Sequence, residues 1–478
     1  MYRFLIIFFL PTLLAAQARH DYQWLLGDHP NDPGQKSGGT LINFNFDPPH
    51  IKYFKVGISS GRSYQPICNG EGELLFYTNG CELINSKHEF MLNGNGLSPG
   101  WAHQDYCPNG GYPSQQLCLP FPSNPSKYGV FHPASHDLDA YLYTLYLTTV
   151  DVKENGGLGT VIEKNKIVLQ DTLDTPLCAV KHGNGRDWWI TVSGYTAYAA
   201  LMSPQGIEKV VHAESPSFQG GINGQACFSP DGGVYCHHTG RRINLYNFDR
   251  CTGMFEARAS WDMPTDSVSS TMGGIAVSPN SRLLYVTTGA AVHQFDLEAA
   301  NIAASDSVVY RAYTPGEPIR TTFYQLQLAP DGKIYGMPFS QTTRLHVIRQ
   351  PDRRGRACEI APESVELPTK NWIFLPYFPN YRLEALSPSP CDTLTPPPAA
   401  LLQVSPNPAS DQIEVAAGTP ADGLHFELFD ALGRLVLRQG LGRYYTYISV
   451  DWLPSAPYFY HILNEGKRVQ GGKLLVRH

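Results

Sequence analysis

The sequence predicts an all-β chain: a seven-bladed β-propeller, with six or eight blades as the alternatives, followed by a small immunoglobulin-like β-sandwich. Two observations lead there. A turn-and-strand unit recurs between residues 20 and 390 at steps of about 45–50 residues, the period of propeller blades. The composition fits, with 44 glycines, 38 prolines, 12% aromatic residues and only 16% charged ones, while no helical periodicity of useful length appears.

The recurring elements are Gly72-Glu73-Leu74-Leu75-Phe76-Tyr77, Asp139-Ala140-Tyr141-Leu142-Tyr143, Gly185-Arg186-Asp187-Trp188-Trp189-Ile190, Gly232-Gly233-Val234-Tyr235, Ser281-Arg282-Leu283-Leu284-Tyr285-Val286 and Gly332-Lys333-Ile334-Tyr335. Ser229-Pro230-Asp231, Ser278-Pro279-Asn280 and Ala329-Pro330-Asp331 precede the last three. Proline presets φ at the first turn position, and Asp, Asn and Gly tolerate the positive φ that hairpins need. Within one unit the expected strands are 225–229 (innermost), 234–238, 243–249 and 254–261. The one long step, between residues 72 and 139, holds an insertion from about Asn93 to Pro125 that reads as a loop elaboration. A seventh unit forms if Trp372–Leu383 pairs with a strand around Leu41–Phe46, which seals the ring and removes exposed edges.

The chain ends carry an address. Arg3 precedes an apolar run, Phe4–Leu14, too short to span a bilayer, and Ala16-Gln17-Ala18 offers a small-x-small cleavage site, so residues 1–18 read as a signal peptide. No cysteine follows that site, which disfavours a lipid anchor, and no later stretch is apolar and long enough to cross a membrane. The propeller is expected over 19–392 and a Pro-rich linker (DTLTPPPAA begins at Asp392) over 393–401. The last segment, 402–478, is expected to form short alternating strands. It holds Pro406-Asn407-Pro408, then Leu432-Gly433, then Leu453-Pro454 with Tyr458. This segment resembles the type IX secretion C-terminal sorting domain (type A) of Gram-negative bacteria. The resemblance implies docking with the outer-membrane export machinery, and release or attachment to surface lipopolysaccharide once the sorting segment is removed. Four further stretches, GELLFYTNG (72–80), MLNGNGL (91–97), HGNGRDWW (182–189) and LPYFPNYRL (375–383), resemble an exported propeller family without assigned chemistry.

A net charge of -6 gives no basic footprint, which argues against nucleic acid. Ten cysteines in an exported chain point to disulfides, and no C-x-x-C pair supports zinc. Cys107 or Cys118 is expected to staple the insertion, with Cys81 as the partner considered. Cys358 and Cys391 could clip the end of the large domain, and Cys227 and Cys236 face each other across a hairpin.

Candidate chemistry is sparse. Gly57-Ile58-Ser59-Ser60-Gly61 matches G-x-S-x-G but lacks the following helix that a nucleophile elbow requires. His132, His136, Asp137 and Asp139 form the densest set of ligand-type side chains, yet a hairpin turn explains most of them. His237 and His238, as strand neighbours, point to opposite faces. His182, Arg186 and Trp188 are the candidate ligand face, a cationic and aromatic group suited to a carbohydrate or an anion; the bland reading is an Arg186–Asp187 pair that fixes the turn, with one Trp packed between blades. Arg382 carries the same ambiguity. No calcium loop, phosphate-binding loop or dinucleotide fingerprint occurs, so no catalytic, cofactor or metal residue is assigned and no cofactor is expected. The expected function is a secreted or cell-surface binding or structural protein with a glycan or protein ligand; the alternative is a propeller enzyme such as a glycan hydrolase, lyase or lactonase.

Overall fold

The computed structural model describes residues 18–27, 39–56, 58, 64–111, 115–135, 142–194, 196–214, 224–263, 273–312, 321–371, 374–387, 391, 403–416, 423–441, 445–464 and 467–478. The chain divides into two compact units, Met1–Ser389 and Pro390–His478. Residues 1–17 of the expected signal peptide, the G-x-S-x-G serine, His136, Asp137 and Asp139, and the expected linker fall outside the described residues.

The first unit is a succession of antiparallel sheets. The first sheet is Gln23–Gly27, Gly39–Asn43 and His50–Phe54; the second is Gln65–Cys68, Leu74–Thr78 and Leu83–Asn85. A seven-stranded sheet follows, built around one long strand, Thr160–Lys181. Residues 160–173 of that strand pair with Leu142–Asp151, and residues 173–181 pair with Trp188–Gly194. The strand therefore ends one four-stranded set (the third, from Leu117–Pro120 and Lys127–Ala134) and begins the next (the fourth, on to Gly206–Glu214). The fifth set is Gln225–Phe228, Val234–His238, Arg242–Phe248 and Phe255–Asp262. The sixth starts at Ile275–Val277 and the seventh runs from Leu326–Leu328 to Ile360–Asn371. Successive innermost strands touch in chain order, and Ile360–Asn371 packs on all three strands of the first sheet. That is a β-propeller.

The expected strands of the fifth set are observed within a residue or two. The repeated glycines explain the turn spacing: Gly72, Gly185, Gly232 and Gly332 all have φ between 71° and 85°, where an L side chain is strained. Ser281 takes the same turn position at φ 62° without being glycine.

Three expectations are corrected. The insertion is shorter than Asn93–Pro125, because Leu117–Pro120 is the innermost strand of the third set and Trp101–Tyr106 is a short helix. Asp139 therefore falls between the second and third strands of its set, whereas Gly232 and Gly332 fall between the first and second. Ring closure does not use a strand at Trp372–Leu383: residues 374–383 form no strand, and the first sheet is complete from Gln23 to Phe54.

Closure relies on side chains instead. Segment 374–386 runs along the inner strands and is held mainly by amides. Gln65 bonds Tyr377 twice, its Nε2 donating to the carbonyl (2.8 Å) and its Oε1 accepting from the N–H (3.1 Å). Gln325 accepts from Leu375 N–H at 3.0 Å, and Gln327 donates to Phe378 O at 3.3 Å. Tyr381 donates to Cys118 O (2.7 Å) and Asn380 to Pro230 O (2.8 Å). Gln225 ties inner strands directly, accepting from Ile275 N–H (3.0 Å) and Leu326 N–H (3.1 Å) and donating to Leu326 O (2.6 Å). Trp24, fully buried, packs on Phe44, Tyr335 and Phe378, which joins first sheet, seventh sheet and central segment.

Cys81 and Cys107 are disulfide-bonded, pinning the short helix to the second sheet, and Cys251 and Cys391 are the other oxidised cysteines. Cys118 is a buried thiol, as is Cys358, so the expected Cys358–Cys391 clip does not form. Cys227 and Cys236 lie opposite each other in register as free thiols.

The second unit stacks a three-stranded sheet (Gln403–Ser405, Gln412–Ala416, Tyr445–Ser449) on a four-stranded one (Leu435–Gly440, Leu424–Phe429, Ala456–Asn464, Lys467–Val476). One core holds them together, including Ile413, Val415 and Ile448 from the first and Phe426, Leu428, Ile462 and Leu474 from the second.

Gln225→Ala leaves three buried backbone groups without partners, at about 1–3 kcal/mol each. A loss of about 3 kcal/mol or more is expected in urea unfolding, against under about 1 kcal/mol for Gln23→Ala, whose bond to Gly72 O is half-exposed. Equal midpoints would contradict amide closure.

Candidate functional site: the central channel and one loop face

What does the channel leave open? Beside the central segment lies a cavity of about 260 Å³. Its walls are mainly apolar, with Val180, Phe228, Ile275, Val277, Leu326 and Leu328 from inner strands and Pro230, Pro279 and Pro330 from the repeated turns. Its charged residues, Asp21 and Arg382, are spent on each other at 2.6 and 2.8 Å, and Arg382 also donates to Ala18 O at 3.2 Å. The pairing holds the Arg382 guanidinium above its ordinary range despite burial. Arg382 is thus a fastener between the beginning and the end of the unit.

Arg250 plays the same part on the neighbouring side. It is buried and donates to four carbonyls: Lys181 (2.8 Å), His182 (3.2 Å), Asp231 (3.3 Å) and Glu384 (2.6 Å). Burial lowers its pKa, with Asp231 opposing.

The candidate face is built around this hub. His182 is buried; its Nε2 lies 3.1 Å from Cys251 O and its Nδ1 accepts from Asn184 N–H at 3.1 Å, which closes the turn. Arg186 clamps Asp187 through two bonds (2.7 and 2.9 Å), and Asn184 holds the same carboxylate at 2.8 Å. Trp188 is fully buried, edge-on to Tyr381, with the Lys181 ammonium 4.3 Å from its ring. Burial pushes that ammonium down to about 8. Trp189 is buried too and donates to Arg250 O at 2.8 Å. Of His182, Arg186 and Trp188, only the Arg186 side chain reaches solvent, at 41% exposure.

The other candidates resolve into structure. His132 is buried with Nδ1 2.9 Å from the Ser98 hydroxyl and Nε2 2.9 Å from the Thr148 hydroxyl, so neither nitrogen is available to a metal. His237 and His238 are both buried on one strand. Cys81, His103 and Cys107 lie within ligand reach of one another, but the two sulfurs are already bonded together and leave no thiolate.

Sequence reasoning missed the amide fasteners, although a signal exists. Gln65, Gln225 and Gln325 each stand seven residues before a turn glycine, Gly72, Gly232 and Gly332. Read in phase with the repeat, those positions mark the entrance to an innermost strand.

Burial lowers the pKa of His132 to about 3 and of His237, His238 and His346 to about 4, against the ordinary 6.5. The unfolded chain then takes up protons that the folded one refuses. Their contribution to stability is complete above pH 6.5 and is lost as pH falls through about 4. Thermal melts should be flat above pH 6.5 and fall progressively as pH drops from 6.5 to about 4. A melting temperature unchanged from pH 7 to pH 4 would contradict neutral buried imidazoles.

Comparison with known proteins gives the second unit its place. Residues 403–477 match the secretion system C-terminal sorting domain family. No curated protein matches the chain in sequence. Among solved structures, it is similar to a protein from Lactobacillus plantarum (12% identity, TM-score 0.43, 75% of this chain and 100% of that one). It is also similar to PorZ, a surface component of the type IX secretion system of Porphyromonas gingivalis (12%, 0.32, 92% and 68%). A third is a putative 6-phosphogluconolactonase from Bacteroides fragilis (12%, 0.41, 73% and 97%).

The residues carrying the sorting resemblance have folding roles. Asn407 donates to Lys473 O (2.8 Å) and accepts from Leu475 N–H (2.9 Å), tying the first strand region to the last strand. Gly433 has φ 77° in the turn that Asp430 caps. Leu453 is buried, and Tyr458 donates to Pro454 O at 3.0 Å. Pro406 and Pro408 flank Asn407 at the surface. Residues 403–477 are a type IX secretion C-terminal sorting domain, and the β-propeller chain that carries them is exported to the cell surface or secreted.

Proposed function

We propose that the protein is an exported propeller that binds a glycan or protein through its loop faces, and that the central funnel is not a catalytic site. One observation carries this reading: segment 374–386 occupies the channel, and the remaining cavity of about 260 Å³ is walled mainly by apolar residues, its one Arg–Asp pair internally satisfied. A propeller enzyme needs several acid, base or cationic groups converging on substrate. Here Arg250 and Arg382 spend their donors on the fold.

In this reading residues 1–18 are a signal peptide, the propeller ends near residue 392, and the sorting domain is removed on export, with surface lipopolysaccharide as one point of attachment. Mass spectrometry of surface material should find a chain starting near Gln17 or Arg19 and ending near Pro396–Pro398; an intact C-terminus throughout would count against removal.

Glycan-array binding and a screen of glycan and lactone substrates on the secreted protein test the function. Binding without turnover is the expected result, with Arg186→Ala weakening an anionic ligand severalfold. Turnover abolished by a cavity variant such as Val277→Phe would favour the hydrolase, lyase or lactonase alternative.

A further inference from the structure

Large apolar side chains that stand exposed are unevenly distributed. Among the described residues there are fourteen, and six of them (Leu432, Leu435, Tyr447, Trp452, Phe459 and Leu475) belong to the sorting domain. Leu432, Leu435, Phe459 and Leu475 belong to the four-stranded sheet or its turn, and the core does not need them, since Phe426, Leu428, Tyr458, Ile462 and Leu474 already fill it from the inward face of that sheet. Strand alternation turns their neighbours outward. Leu435, Phe429, Phe459 and Lys473 then stand side by side across four strands, each opposite the next in register. Phe429 leans on the His461 ring at 4.9 Å, and Leu475 is exposed two residues beyond Lys473.

Leu432 extends this row. It sits in the turn between the strands that end at Phe429 and begin at Leu435, and it is 78% exposed. The turn's other members are accounted for: Asp430 accepts from the N–H groups of Leu432 and Arg434 and pairs with the Arg434 side chain, and Gly433 supplies the positive φ. A leucine presented to water on so rigid a turn costs solubility and gives the fold nothing.

We propose that the outward row Leu432, Leu435, Phe429 and Phe459, with Lys473 at its end, is the surface by which the secretion machinery grips this chain. The occupant is a protein surface: an apolar groove with a carboxylate beside it to meet Lys473. A sorting domain must be read from outside, and this is the sheet face whose apolar side chains the fold leaves unused. The proposal rests on the sorting-domain assignment and is independent of the ligand proposed for the propeller.

The test is export of the full-length chain from its native host, measured as the ratio of surface and medium protein to cell-retained protein. Leu435→Ser/Phe459→Ser should lower that ratio at least tenfold. Leu435→Met/Phe459→Tyr, which keep the apolar area, should restore it. Lys473→Glu leaves the packing intact and should lower it severalfold, so the proposal remains testable even if the serine pair melts early. Tyr447→Ser, on the other sheet, should export normally. Wild-type export of the serine pair or of Lys473→Glu overturns the proposal. Equal loss for Tyr447→Ser overturns it too, as does cosedimentation of the chain with phosphatidylglycerol vesicles that the serine pair abolishes, since a lipid surface would then be the occupant. Retention of the wild-type chain would instead remove the sorting assignment beneath it.

Discussion

A ring of sheets has to be sealed, and everything distinctive about this molecule follows from how its seal is made. Propellers commonly close by letting strands from both chain ends share a blade, so that backbone hydrogen bonds carry the seal. Here the first sheet is assembled wholly from residues 23–54, and the last strand of the seventh set packs against it. The seal falls to side chains: Asp21 with Arg382, Thr40 with Thr369 (2.9 Å), and Gln65 with Tyr377. Each is buried, and a buried polar group that loses its partner costs more than the bond nets when made. These contacts are therefore all-or-none.

The same seal decides what the channel can do. A side chain that closes a ring from its centre must bring backbone with it, and segment 374–386 runs along the inner strands, bonded to Gln65 and Cys118. Gly185 shows how tight the fit is, since a Cβ there would lie 2.5 Å from Ala385 N. Polar groups that look catalytic in isolation are consumed by the packing, as with His182, Arg250 and Arg382. Arg186, by contrast, reaches water.

Much of this was legible in the sequence, and the misses have physical reasons. The turns were readable because proline and glycine leave a local signature in φ, and the fifth set came out strand for strand. The third set was misread because its first hairpin, after Leu117–Pro120, lacks the glycine found at Gly72, Gly185, Gly232 and Gly332. The Asp139 turn was then taken for the first one. Closure was misread because LPYFPNYRL has the composition of a strand but contains Pro376 and Pro379, which lack the N–H that a ladder needs. The Arg186–Asp187 pair was one of the two readings of that turn, and the bond is present, whereas Arg250 was invisible: its four carbonyl partners come from three separate stretches of chain. In the sorting domain the motif positions could be read, but the division between buried ones such as Leu453 and Tyr458 and exposed ones such as Leu432 needed coordinates.

Closure from the far end also constrains how the protein can fold. The sealing contacts join residues 312 to 361 positions apart. Loop closure entropy must be met before such contacts return any stability, so the ring is expected to form late and slowly. Until residue 386 is available the inner strands lack their amide partners, and the apolar walls around Val180, Phe228 and Leu326 stay accessible. The Cys81–Cys107 disulfide adds restraint of a kind the exterior allows. The fastener lies among the last residues of the propeller, so its contacts are the most distant in sequence that the ring makes.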